Sequence, residues 1–138
     1  MSEQASIEIV RDFEPVTLPP GTTVLMAARN MHSRGASAVL VTEGDRVLVG
    51  IFTERDAISR VLATGRDPVR TTLAEVMTDN PNSVTPDDSV EDIVRLMQSL
   101  HCRHLPIVRD GKAVGIASHG PLSGCGAAKT AESAAPAM

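Results

Sequence analysis

The stretch TLPPGTTV, residues 17–24, decides the fold, because it recurs as SVTPDDSV at residues 83–90. Each copy has a proline turn, then a hydroxyl residue, then a valine, and the second valine follows the first by 66 positions. The same spacing relates AVLV at residues 38–41 to HLPI at residues 104–107, and one residue is lost in the loop that follows. Because this period is longer than that of a solenoid repeat, it predicts a duplicated half-domain.

Both copies predict a helix directly after the turn. Ser89 is well placed to cap the helix of the second copy, with Asp92 three residues later. The apolar residues that follow form one stripe at helical spacing: Val90, Ile93, Val94, Met97 and Leu100. A less regular stripe occupies the equivalent part of the first copy: Val24, Leu25, Ala28 and Met31.

A β-hairpin and a second helix are predicted next in the first copy. Residues 38–41 form a short buried strand, residues 43–45 supply turn residues, and residues 47–52 return as a second strand. Thr53 is placed to cap a helix over residues 54–63. In the second copy this last helix is poorly encoded.

The repeat divides the chain into four parts. We expect an N-terminal extension at residues 1–13, a first repeat at residues 14–70, a second repeat at residues 71–122 and a tail at residues 123–138. The tail is rich in Ala, Ser and Gly, so we expect it to be loosely packed. Thr72 opens a capping-box pattern that predicts a short helix early in the second repeat.

The composition argues against several function classes. The aromatic residues are Phe13 and Phe52, and the net charge is −4 with scattered basic residues, which disfavours nucleic-acid binding. No run approaches about 18 apolar residues, and residues 1–11 lack the pattern of a secretory signal, so we expect no membrane insertion. Cys102 and Cys125 form no disulfide or metal pattern, which favours a reducing cytoplasm. We also expect no enzyme activity, because no phosphate-loop, GxSxG or HExxH motif occurs.

Three motifs identify the repeat more closely: VMT at residues 76–78, RHLPIVRDG at residues 103–111 and GIFTERD at residues 50–56. Their order and repetition resemble a tandem pair of cystathionine-β-synthase-type (CBS) domains, or Bateman module, over residues 14–122. The resemblance implies a mixed α/β (α+β) fold in which two βαββα repeats pack sheet to sheet with pseudo-two-fold symmetry. It also implies a cleft between the repeats that can hold adenosyl ligands, and a homodimer.

The GIFTERD motif places a hydroxyl and a carboxylate in the first turn of a helix. Thr53 and the free N–H groups of the helix start can hold a phosphate oxygen, and the Asp56 carboxylate can accept two hydrogen bonds from a ribose diol. The alternative is that Thr53 only caps the helix and that Asp56 only complements the helix dipole.

Further candidate ligand contacts come from equivalent positions of the two copies. Ser37 corresponds to Arg103. The resemblance implies that both positions line the cleft together with His104, and that the basic side chains meet phosphates. Ala36 and Ile51 are available for an apolar adenine slot, although core packing explains them equally well.

The second copy departs from the motif. It keeps a hydroxyl at Ser118 but has Pro121 where Asp56 stands, and proline cannot bind a diol. We therefore expect one competent nucleotide site, anchored by Asp56, and leave open whether the second site binds anything.

The resulting hypothesis is a non-catalytic regulatory module that binds AMP, ADP, ATP, NAD or S-adenosylmethionine as a regulatory ligand and signals to an unidentified effector protein. The sequence does not distinguish among these ligands. One alternative is a ligand-free dimerisation or interaction module. Another is a metal-binding regulator that uses His101, Cys102 and His104, although Arg103 among them would repel the ion. A redox role for Cys102 also stays open, because thiol reactivity depends on local pKa and exposure.

Overall fold

The structure is a computed structural model that describes residues 7–119 and 130–134, with side chains described over residues 9–119. The strands are β1 (Ile7–Asp12), β2 (Thr17–Leu18), β3 (Ala38–Glu43), β4 (Val47–Thr53), β5 (Thr78–Asp79), β6 (His104–Arg109), β7 (Lys112–His119) and β8 (Thr130–Ala134). The helices are α1 (Val24–Arg34), α2 (Glu54–Asp56), α3 (Leu73–Val76) and α4 (Val90–Leu100), and α2 continues directly into a π-helical segment, Ala57–Leu62. No helix in the described part of the chain is both long enough and apolar enough to cross a membrane.

The two long helices begin at the predicted capping residues. Thr23 Oγ1 accepts a hydrogen bond from Met26 N at 3.3 Å before α1, and Ser89 Oγ accepts one from Asp92 N at 3.1 Å before α4. Each bond satisfies an amide that the helix itself leaves unpaired. Helix α1 ends at Gly35, whose φ of 62° is a left-handed conformation that glycine adopts without steric cost.

The predicted apolar stripes are right for α4 and partly wrong for α1. Helix α4 buries Ile93, Val94 and Met97, whereas Leu100 at its end is 37% exposed. Helix α1 buries Val24, Ala27 and Met31, so the buried alanine is one position before the predicted Ala28, which is exposed. Because Ala27 and Ala28 are adjacent, the sequence gives little contrast between the two faces on which they lie.

The capping prediction at Thr72 is wrong, because backbone carbonyls of the preceding turn cap α3 instead. Leu73 N donates to the carbonyl of Thr22 at 2.8 Å, and Ala74 N donates to the carbonyl of Pro20 at 3.0 Å. The Thr72 side chain makes no capping hydrogen bond. These bonds fix α3 against the turn that precedes α1.

The duplication is visible in the register of the two hairpins. Ala38 pairs with Thr53 in the β3–β4 hairpin, and the corresponding residues His104 and Ser118 pair in the β6–β7 hairpin. Both hairpins have a register shift after the fourth residue of their first strand. The turn is one residue shorter in the second hairpin, which accounts for the residue lost between the copies.

Three apolar clusters form the core. The cluster beneath α1 includes Val24, Met31, Val39, Phe52 and Leu73. The cluster beneath α4 includes Ile9, Ile93, Met97, Leu105 and Ile107. The third joins the two repeats through Ala38, Leu40, Ile51, Ala113 and Ile116. Because its members come from strands of both hairpins, the predicted packing of two repeats sheet to sheet is confirmed.

Segments outside the two hairpins complete the sheet of the second repeat. Strand β1, which lies in the expected N-terminal extension, pairs antiparallel with β7, and Ile9 faces His119. Strand β8 pairs antiparallel with β1. This part of the tail is therefore in the sheet, contrary to the expectation of loose packing, whereas residues 123–129 and 135–138 lie outside the described residues.

Candidate functional site

A cleft of about 990 Å³ lies between the two repeats. Its lining includes residues near the start of the first strand and the end of the second strand of each hairpin: Ser37, Thr53, His104 and Ser118. At the other end of the hairpins the repeats are joined by backbone pairing of Val47 with Lys112. Sites for small ligands have volumes of about 300–1,000 Å³, so the cleft is large enough for a nucleotide.

Most of the predicted site residues line this cleft: Ser37, Ile51, Thr53, Asp56, Arg103 and His104. Ala36 does not line it, because this residue packs against the core beneath α1. Ile51 lines the cleft but is only 7% exposed and belongs to the cluster between the sheets. The roles of Ala36 and Ile51 in an adenine slot stay predictions.

Thr53 and Asp56 form a reciprocal capping box at the start of α2. Thr53 N donates to Asp56 Oδ2 at 2.9 Å, and the Thr53 hydroxyl donates to the same oxygen at 3.1 Å. In return, Asp56 N donates to Thr53 Oγ1 at 3.2 Å. The capping role is therefore real, but it uses only one carboxylate oxygen. An ionised carboxylate has about four acceptor positions, so Oδ1 keeps the capacity to accept hydroxyl groups.

Arg60, which was not among the predicted site residues, lies beside that second oxygen. Arg60 Nε lies 3.6 Å from Asp56 Oδ1. Its Nη1 donates to the carbonyls of Val76 at 3.1 Å and Met77 at 3.2 Å. The spacing of four residues from Asp56 was a usable signal for the ion pair, whereas the two carbonyl contacts depend on tertiary structure.

A hydrogen bond between Ser37 and His104 joins the two repeats inside the cleft. Ser37 Oγ and His104 Nε2 are 2.7 Å apart. Burial of the ring, together with the positive charge of Arg103, lowers the pKa of His104 to about 4, and the negative charge of Asp56 opposes this shift in part. The ring is therefore neutral at pH 7, with one nitrogen that donates and one that accepts.

The segment between the repeats supplies another wall of the cleft. Strand β5 pairs with β4, with Asp79 opposite Gly50, and Thr78, Asp79 and Asn80 line the cleft. The VMT motif marked the start of this segment in the sequence, but nothing in its pattern showed that it returns to the first repeat.

The second repeat contributes Ser118 to the same cleft. This residue pairs with His104 across the β6–β7 hairpin, in the same way that Thr53 pairs with Ala38. Pro121, which takes the place of Asp56 in the second copy, lies outside the described residues.

The geometry gives no support to the metal and redox alternatives. Among the described residues, no group of three or more His, Cys, Asp and Glu side chains could hold a metal ion. His101 ends α4 in a left-handed conformation with φ 55° and is exposed. Burial raises the pKa of Cys102, so its thiol stays protonated and is a weak nucleophile.

Comparison with known proteins assigns the family. The family model described as "CBS domain" matches twice, at residues 8–63 and 73–120. The chain belongs to the CBS domain family. The two matches correspond to the two repeats, which confirms the resemblance and the fold class of this CBS pair. Tandem CBS domains are a regulatory type of module, and proteins made of CBS domains alone are generally not catalytic.

The relatives of this CBS pair include short and long proteins. It is 35% identical over 119 residues to the CBS domain-containing protein YhcV of Bacillus subtilis, which covers 86% of this chain and 84% of YhcV. It is also 35% identical over 113 residues to the CBS domain-containing protein CBSCBSPB3 of Arabidopsis thaliana, which covers 82% of this chain but 20% of that protein. The chain thus spans about a fifth of the length of this plant relative.

A solved structure of a related CBS pair contains adenosyl ligands. The CBS domain pair of protein MJ0100, in complex with 5′-methylthioadenosine and S-adenosyl-L-methionine, superposes with a TM-score of 0.68 at 26% identity. The superposition covers 75% of this chain and 84% of that one.

Proposed function

We propose that this CBS pair is a regulatory module that binds an adenosine-containing nucleotide in the cleft between its repeats and signals to a partner protein. The proposal rests on one observation: the wall of that cleft carries the Asp56 carboxylate, whose side chain is 14% exposed and whose Oδ1 is not used by the capping box.

The ribose is the part of the ligand that Asp56 would recognise. Oδ2 already accepts two hydrogen bonds from Thr53, so the ribose hydroxyls would donate to Oδ1. Each such bond to an ionised acceptor contributes about 1.5–3 kcal/mol. The partial burial of Asp56 strengthens these bonds because water competes less for the oxygen.

The phosphate would be held by the basic residues of the cleft. Arg55 and Arg103 both line it, and an arginine presents planar donors that match phosphate geometry. His104 is neutral in the unliganded protein and can still donate one hydrogen bond from its ring. This arrangement favours AMP, ADP, ATP or NAD over an uncharged nucleoside.

The ligands of the related MJ0100 pair support an adenosyl group as part of the ligand of this CBS pair. Both of them carry an adenosyl group without a phosphate. They therefore support the adenosine part of the proposal and leave the choice among phosphorylated ligands to experiment.

Thermal unfolding in the presence of AMP, ATP, NAD and S-adenosylmethionine tests the proposal. A ligand at one hundred times its dissociation constant stabilises the folded state by about 2.7 kcal/mol. We expect a shift with at least one of these ligands, and we expect Asp56→Asn to abolish it. Asp92→Asn is the matched control, because Asp92 occupies the same capping position in α4 but does not line the cleft. No shift with any ligand, or a full shift in Asp56→Asn, would contradict the proposal.

A second candidate function is self-association without a ligand. Ile58 and Leu62 lie on one side of the π-helical segment and are 61% and 66% exposed. Exposed apolar side chains that lie on the same side of a helix are typical of interaction surfaces. Sedimentation equilibrium would show a dimer that Ile58→Glu weakens. A monomer at all concentrations would rule this candidate out.

A further inference from the structure

Arg60 makes more contacts than the single ion pair that is common for an exposed arginine on a helix. An ion pair at a spacing of four residues contributes little to stability on an exposed helix. Arg60 instead contacts two elements at once: Asp56 through Nε, and the carbonyls of Val76 and Met77 through Nη1. Those carbonyls lie at the end of α3, where the helix leaves them without partners.

Val76 and Met77, whose carbonyls Arg60 contacts, are followed in the chain by residues that line the cleft. These residues precede β5, whose Thr78 and Asp79 line the cleft and pair with β4. Arg60 therefore connects Asp56, the carboxylate that would bind the ribose, to the segment between the repeats. That segment forms another wall of the cleft. Arg60 itself does not line the cleft, so it would act on a ligand only through its neighbours.

Arg60 contacts Oδ1 of Asp56, the carboxylate oxygen that the capping box leaves available for a ligand. Oδ2 is held by Thr53, and the carboxylate can receive ribose hydroxyls only through Oδ1. The guanidinium beside Oδ1 at 3.6 Å holds the carboxylate in one orientation. A carboxylate held in one orientation loses less conformational freedom when a hydroxyl group donates to Oδ1.

We infer that Arg60 is a positioning residue of the nucleotide site: it holds the Asp56 carboxylate and the segment between the repeats in one arrangement, so that Asp56 Oδ1 receives the ribose hydroxyls, without touching the ligand. This inference rests on the proposed function, because it assigns to Arg60 the geometry of the site that Asp56 would provide.

Selectivity for the ribose hydroxyls is the readout that separates positioning from simple stabilisation. The probes are AMP and 2′,3′-dideoxy-AMP, whose affinities are measured by isothermal titration calorimetry. One charge-assisted hydrogen bond corresponds to about a tenfold to hundredfold difference in affinity. We expect wild type to bind AMP at least tenfold more tightly than the dideoxy probe. In Arg60→Gln we expect this ratio to fall below threefold, with the affinity for dideoxy-AMP within twofold of wild type.

Two further variants complete the experiment. Arg60→Lys keeps the charge but lacks the planar guanidinium, so it should fold even where Arg60→Gln does not. Its ratio of affinities for AMP and dideoxy-AMP should lie between those of wild type and Arg60→Gln. Arg95→Gln is the control, because Arg95 makes a similar exposed ion pair with Asp92 on α4 outside the cleft. Its ratio should equal that of wild type.

The outcomes separate this inference from the proposed function. If wild type binds AMP selectively and both Arg60 variants keep the full ratio, Arg60 has no positioning role and only this inference fails. If wild type binds neither probe nor any other adenosyl ligand, the proposed function fails and the inference fails with it. A ratio that falls equally in Arg95→Gln would also overturn the assignment, because the effect would then be a general loss of stability.

Discussion

Ser37 and His104 form a hydrogen bond of 2.7 Å across the boundary between the two repeats. Ser37 lies just before β3 and His104 begins β6, so each residue stands at the start of a hairpin. The bond has no symmetrical equivalent, because the corresponding positions hold Arg103 and Ala38. Inside the cleft, this polar contact adds to the apolar cluster between the sheets and to the Lys112–Asp45 ion pair at the hairpin turns.

Acid should destabilise the protein through His104. The pKa of this residue is lowered to about 4 in the folded state, chiefly by burial, whereas an unfolded histidine titrates near 6.5. The unfolded chain therefore binds the proton first as pH falls. The free energy of unfolding is therefore highest above pH 6.5. It falls between pH 6.5 and about 4, by up to about 1.4 kcal/mol per pH unit.

Urea unfolding at pH 7.5, 6.5, 5.5 and 5.0 checks this dependence. His104→Gln should flatten the slope of unfolding free energy against pH, because its side chain does not titrate. His101→Gln, at the exposed end of α4, should retain the slope of wild type. Equal slopes for wild type and His104→Gln would contradict the prediction.

Loss of the Ser37 hydroxyl should weaken the contact between the repeats. Ser37→Ala leaves a largely buried ring nitrogen of His104 without its partner, which costs about 1–3 kcal/mol of unfolding free energy. Ser33→Ala on the exposed face of α1 serves as the control and should change stability by less than about 0.5 kcal/mol. Chemical denaturation at pH 7.5 measures both. A cost for Ser37→Ala no greater than that for Ser33→Ala would mean that the bond contributes nothing.

Alanine at the two equivalent glycines of β4 and β7 should be destabilising for different reasons. A Cβ at Gly50 would lie 3.0 Å from Met77 Cγ and would overlap the Met77 sulfur. A Cβ at Gly115 would lie 2.9 Å from the backbone oxygen of Asp12 in β1 and 2.9 Å from Phe13 Cδ1. Each substitution should cost about 1–3 kcal/mol.

A double-mutant comparison separates the two cases. The cost of Gly50→Ala should be smaller in a Met77→Ala background, because a flexible side chain is the main obstacle. Most of the cost of Gly115→Ala should persist in a Phe13→Ala background, because the backbone oxygen of Asp12 remains in place. Similar relief in both pairs would show that side chains alone set the two costs.

The apolar cluster between the sheets, and not the ion pair at the hairpin turns, should hold the repeats together. Leu40 is fully buried in that cluster, so Leu40→Ala should cost about 2–5 kcal/mol. Lys112 Nζ is 2.6 Å from Asp45 Oδ2, but the two side chains are 46% and 78% exposed, so Lys112→Gln should leave the unfolding midpoint unchanged within error. Thermal unfolding at low and high salt compares the variants. A larger loss for Lys112→Gln than for Leu40→Ala would reverse this ranking.

The features that the sequence predicted are those that local chemistry and repetition determine. The spacing of the copies predicted two equivalent hairpins, and the hydroxyl residues Thr23 and Ser89 predicted the starts of α1 and α4. The GIFTERD motif predicted that Thr53 and Asp56 share a helix start. In each case the residues involved are close in the chain.

The features that the sequence did not predict depend on distant contacts. The start of α3 is capped by carbonyls of Thr22 and Pro20, some fifty residues earlier, so the pattern at Thr72 was misleading. The π-helical segment arises from bonds such as Ala63 N to the carbonyl of Ile58, for which no sequence pattern exists. The contact of Ser37 with His104 requires the two sheets to be already packed.

Strand β1 has a consequence for how the molecule comes apart. It precedes the hairpin of the first repeat in the chain, yet it lies beside β7, and Ile9 is fully buried in the cluster beneath α4. A protease that cleaves the connector at residues 66–70 should therefore leave two fragments that stay associated, because the N-terminal fragment contributes a strand to the sheet of the C-terminal fragment. Neither half expressed by itself would have a finished sheet, and mixing the two should restore it.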